Sequence, residues 1–190
     1  EGYLDKRKLV PKTMLKDIKV NMNVIESMLY FWTATSEKDK VGEKYLTELS
    51  RYPEMKLLYD SDFDEESVRK VLSAISNREK LNGANQKERQ FWNNNMWMLE
   101  DLDYMKAMVA PLKVLNLDSL VDEINQEKDI QTPVIDVIFV PANKEEYLIK
   151  DNKLIINFFK LTADLINLEE VTINGQSIRE YIKNAILMNF

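Results

Sequence analysis

The hydrophobic period of this 190-residue chain changes once, close to Pro111, and that change constrains the fold more than any other feature. Before Pro111, apolar residues recur at three- and four-residue steps, as in helices with one buried face. After it, short β-branched runs stand between turn residues. Helices first and strands afterwards argue for an α+β protein, not a βαβ alternation.

From Thr13 to Ala34 the residues Met14, Ile18, Ile25, Met28, Leu29 and Trp32 fall on one stripe behind Pro11, which predicts a single core-facing helix. A second helix runs from Val41 to Leu49 and stops before Pro53. Asp62 with Glu65 has the spacing of a capping box ahead of Val68, Val71, Leu72 and Ile75, and Gly83 is the expected stop. Asn85 with Glu88 repeats that signal for a fourth helix carrying Phe91, Trp92, Met96, Leu99, Leu102, Met105 and Val109 as far as Pro111. Trp92, Met96 and Leu99 are expected in the main core with Ile25, Leu29, Trp32, Leu72 and Ile75.

Beyond Pro111, Lys113 to Leu117 reads as a short strand and Asp118 as the cap of a helix through Leu120, Val121 and Ile124. Val134 to Val140 is a strand between two prolines. Glu146 to Lys150 and Lys153 to Lys160 flank Asp151-Asn152, a pair suited to a tight hairpin. These runs predict a small three-stranded antiparallel meander. Val171 to Ile173 adds a strand, Asn174-Gly175 turns the chain, and Ser177 with Glu180 starts a C-terminal helix. No linker rich in Pro, Gly or Ser separates the halves, so residues 1–190 are expected to form one compact domain, with subdivision into 1–110 and 111–190 as the alternative.

Composition removes whole classes of chemistry. The chain has no Cys and no His, which excludes thiolate nucleophiles, Ser-His-Asp catalysis and ordinary zinc hydrolysis. No apolar run approaches the roughly 18 residues of a membrane span. Neither a Walker loop nor G-x-G-x-x-G occurs. The formal net charge of −6 opposes phosphate-backbone binding, so no nucleic acid is expected as a partner. Lys6, Arg7, Lys8, Lys12, Lys16 and Lys19 accordingly read as a solvated helix start. Residues 111–190 hold 13 acidic and 8 basic side chains, so the acidity is mostly C-terminal. Four glycines and many Ile, Lys and Asn resemble a bacterial-type composition, and a cytoplasmic location is expected, with a removed upstream signal or anchor as the alternative that the start at Glu1 leaves open.

Asp60, Asp62 and Asp64 alternate as in the opening of a calcium loop, but Glu65 stands where such loops need Gly and Val71 where they need Glu. Acids at a helix start are favoured by the helix dipole in any case, and capping is the preferred reading. No metal and no cofactor is expected.

The segment from Phe91 to Met108 is the most unusual, because three successive asparagines in a helix work against propensity. At helical spacing Arg89, Asn93, Trp97, Glu100 and Tyr104 adjoin on one face, and Asp103 lies three residues beyond Glu100. These six are the candidate ligand-binding residues, set against packing as the simpler role for the aromatics. The basic stretch from Arg78 to Arg89 reads as a surface turn, with an anion site as the rival.

The expected function is an acidic, non-enzymatic protein-interaction module of the immunity or antitoxin type, facing a basic protein partner. The alternative is a carboxylate-dependent metal enzyme or small-ligand binder using the helix 86–110.

Overall fold

The computed structural model describes residues 14–190, and the expectations for Lys6 to Lys12, Pro11 and Thr13 lie outside them. Within that range the chain is α+β. Helices α1 (Asn23–Ser36), α2 (Glu43–Ser50), α3 (Pro53–Lys56), α4 (Glu65–Asn77), α5 (Gln86–Glu100), α6 (Leu102–Lys113) and α7 (Asp118–Glu127) precede most of the strands, and α8 (Ile178–Asn189) ends the chain. The strands are β1 (Asp17–Asn21), β2 (Val134–Val140), β3 (Tyr147–Lys150), β4 (Lys153–Asn157), β5 (Leu161–Ala163), β6 (Val171–Ile173) and β7 (Gln176–Ser177).

The stripe from Thr13 to Ala34 does not make one helix. Its first part is β1, held by backbone bonds from Lys16 and Asp17 to the Pro133 carbonyl and by pairing with β2. Ile18 and Val20 are β-branched and two apart, so they suit a strand as well as a helical step, and the partner strand decides. Asn21 Oδ1 accepts from the Asn23 N–H where α1 begins.

A second correction concerns the sheet. Its order is β1-β2-β4-β3, with β1 and β4 both parallel to β2 and only β3 antiparallel to β4. A meander would leave β2 with β3 as its next neighbour. Yet five of the seven β2 residues are buried, and a strand buried on both faces belongs at the centre of a parallel arrangement. The Asp151-Asn152 hairpin forms as expected, with Asp151 at φ +51°. A separate antiparallel sheet runs β5-β6-β7.

Three local boundaries also move. The box that caps α4 is Asp64 with Ser67 and not Asp62 with Glu65, because the helix begins only at Glu65. The Asp62 N–H lies before it in a turn closed by Asp60 Oδ1, which accepts from the Asp62 and Phe63 N–H groups. Arg78, at φ +58°, ends α4 before Gly83 is reached. Lys113 to Leu117 is the end of α6 and a loop, not a strand, and Pro111 sits inside α6. Asn85 and Glu88 cap α5 reciprocally, and Ser177 Oγ caps α8, as the spacing predicts.

The buried apolar residues form one contiguous cluster, with α1 and α3 against β2, α7 against β1, and α4 and α5 packed together. Trp32 lies at its centre, stacked on Phe158 at 5.5 Å between ring centroids.

Candidate functional site

The fourth predicted helix is two helices. Asp101 leaves helical geometry at φ −138°, ψ 80°, ends α5, and caps α6 by accepting from the Tyr104 N–H at 3.1 Å. An Asp three residues before Tyr104 is an N-cap signature that the continuous apolar pattern concealed.

The break turns α6 away from α5 and opens a cavity of about 380 Å³ at the elbow. Met98, Met108, Phe159 and Leu161 supply apolar walls, while Asn94, Asp101 and Tyr104 supply polar edges. Trp97 stands at the same cavity with 64% of its surface exposed. The Tyr104 hydroxyl accepts from the Ala163 N–H at 3.2 Å, fixing α6 to β5. Asn94 is held by Gln90, which donates to its Oδ1, and donates in turn to the Ala142 carbonyl.

The six candidate residues therefore separate. Trp97 and Tyr104 meet in the elbow cavity. Arg89 and Asn93 lie instead in a broader groove with Arg78, Lys80 and Trp92, where Arg89 donates to the Ala84 carbonyl. Glu100 and Asp103 are exposed and their carboxylates have no ion pair or hydrogen bond within the described residues. No three His, Cys, Asp or Glu side chains among the described residues converge as a metal cluster would. The acidic run is taken up locally: Asp60 pairs with Lys87, Asp64 caps α4, and Glu65 pairs with Arg51.

The buried face of α5 is Glu88, Phe91, Asn95 and Met98, one position round from the expected Trp92, Met96 and Leu99, which pack only partly buried at the core's edge. Asn95 explains part of the asparagine run. It is fully buried, accepts from Trp32 Nε1 at 2.9 Å and donates to the Phe91 carbonyl at 2.8 Å. Asn95 therefore serves packing, whereas Asn94 faces the cavity. Met98, Met108, Phe159 and Leu161 were missed because apolar residues in a core pattern carry no mark of lining a cavity.

No family model, no curated protein and no solved structure matches this chain.

Proposed function

We propose that the protein is a binding module that uses the α5–α6 elbow to seize an apolar anchor side chain of a basic partner protein, the kind of contact an immunity or antitoxin protein makes. The observation that carries this reading is Trp97, a large aromatic left 64% exposed beside an apolar cavity. Aromatic and methionine side chains around a preformed pocket are the usual anchors of protein interfaces. The cavity takes one side chain of a partner segment.

Charge supports the choice of partner. Glu100, Asp101 and Asp103 lie close together in the sequence at the elbow, and none of the three has an ion pair among the described residues. A Lys or Arg next to the anchor would meet them without displacing an existing cation. No described helix is long and apolar enough to cross a membrane.

Selection of peptides from a random library on the immobilised protein tests the reading. The expected products pair an aliphatic or aromatic residue with adjacent Lys or Arg, and they lose affinity on Trp97→Ala by about 2 kcal/mol, as an interface hot spot does. Selected peptides that bind the Trp97→Ala protein equally well would refute it.

A further inference from the structure

Helix α4 stops on a left-handed step taken by an arginine. Arg78 has φ +58° and ψ 40°, a geometry in which glycine avoids the steric cost that a side chain brings. The turn needs that step, because the Arg78 and Glu79 N–H groups close the helix on the Ile75 and Ala74 carbonyls. It does not need an arginine there. Among the described residues the Arg78 guanidinium has no hydrogen bond and no ion pair, so the fold makes no use of it. A residue kept in a costly backbone region without an internal use directs attention to what lies outside it.

Arg78 lines a groove of about 650 Å³ between the end of α4, residues 79–82 and the first two turns of α5. Lys80 and Arg89 line it as well, against a single acid, Glu79. None of the three cations has an ion pair among the described residues. Two carboxylates that hold this end of α5, Glu88 and Asp60, are already paired with Lys70 and Lys87. The groove is therefore a positive island, with a local balance of +2, on a chain of net charge −6. Its apolar part is Leu81 and Trp92, both half-buried and packed against the core, which holds the indole in place. Asn82 and Asn93 stand exposed beside them, each amide offering a donor and an acceptor.

We propose that this groove binds a planar aromatic phosphate monoester of nucleoside monophosphate size, its phosphate among Arg78, Lys80 and Arg89 and its ring on Trp92. A phosphate monoester carries about two negative charges at neutral pH, which matches the local balance. Guanidinium groups fit phosphate oxygens in pairs, and Arg89, which uses one nitrogen on the Ala84 carbonyl, keeps the others for the ligand. An indole is a stacking platform for a base. The volume lies within the roughly 300–1,000 Å³ of small-molecule sites and exceeds what a bare phosphate fills. A long polyanion would run from this island onto an acidic surface, so the charge distribution favours a single phosphate group. The groove shares no lining residue with the elbow cavity and does not depend on the reading of it.

Isothermal titration calorimetry with adenosine, guanosine, cytidine and uridine monophosphates tests the proposal, using the parent nucleoside and inorganic phosphate as the two halves of each. Saturable one-to-one binding of at least one nucleotide is expected, with each half weaker by about tenfold or more. Arg78→Gly removes a cation and suits the left-handed backbone, so it should weaken binding by about tenfold without lowering the melting temperature. Arg89→Gln, on an exposed helix face, should weaken it by about tenfold as well. Trp97→Ala alters only the elbow and should leave the affinity unchanged. No binding of any of the nucleotides at about 10 mM, a half that binds as well as the whole, unchanged affinity in both arginine variants, or loss of binding on Trp97→Ala would each overturn the proposal.

Discussion

Two asparagines are buried to the same degree, Asn95 among the helices at 0% exposure and Asn157 at the sheet edge at 1%, and they are treated oppositely. Asn95 has both halves of its amide satisfied, by Trp32 and by the carbonyl one turn back. Asn157 has one half satisfied and one without a partner among the described residues. Burial alone does not separate an amide that the fold satisfies from one that it leaves half satisfied. The inventory of its hydrogen bonds does.

The largest expected effect is on the side of Asn95. Trp32→Ala removes the central aromatic of the core and strands Asn95 Oδ1, so chemical denaturation should show a loss of about 3 to 5 kcal/mol. Asn95→Ala leaves Trp32 Nε1 buried without an acceptor and should cost about 2 to 3 kcal/mol by the same measurement.

Glu88 extends the comparison to a charge. Burial pushes its carboxyl up, but the Asn85 N–H, Lys70 and Ser67 together outweigh that and hold it below the ordinary carboxylate value. Its stabilising contribution is therefore complete above an unfolded pKa of about 4.3 and disappears as pH falls through the lower folded value. Glu88→Gln should cost about 1 to 2 kcal/mol at pH 7, and the gap from the parent protein should close below about pH 4 in pH-dependent melts. A gap that stays constant with pH would mean the charge is not what Glu88 contributes.

Asn157→Ala sharpens the contrast most directly. It forfeits one cap of a short 3₁₀ turn (Phe158–Lys160) while relieving an unsatisfied donor, so its cost should stay within about 1 kcal/mol. If it equals that of Asn95→Ala, the two amides are alike and the contrast fails. Trp97→Ala, outside both environments, should move stability by no more than about 0.5 kcal/mol.

The legibility of the fold divides along similar lines. The capping box at Asn85, the N-cap at Ser177 and the turn at Asp151-Asn152 are local, and local sequence specifies them. The strand at Asp17–Asn21 is not local, because its state is set by pairing with residues around Val134. The parallel order of β2 and β4 was hidden for the same reason, although the nearly unbroken apolar run of β2 was a readable hint of burial on both faces. At the elbow, Trp97 and Tyr104 could be picked out as polar-edged aromatics at helical spacing. Their apolar companions came from Phe159 and Leu161 on a distant segment, and Asn157 was invisible because an asparagine at a strand end reads as an ordinary turn residue.

The pairing of β1 with β2 also has a consequence for how the chain is made. Asp17 leaves the ribosome over a hundred residues before its partner Val134, a delay on the order of ten seconds at ordinary translation speeds. Through that interval the helices from α1 to α6 can find one another, but β1 is a strand without a sheet. Completion of the central sheet thus waits for the last third of the polypeptide. A product that stops short of β2 would carry Ile18 and its unpaired backbone into solution, where proteases and aggregation compete for it.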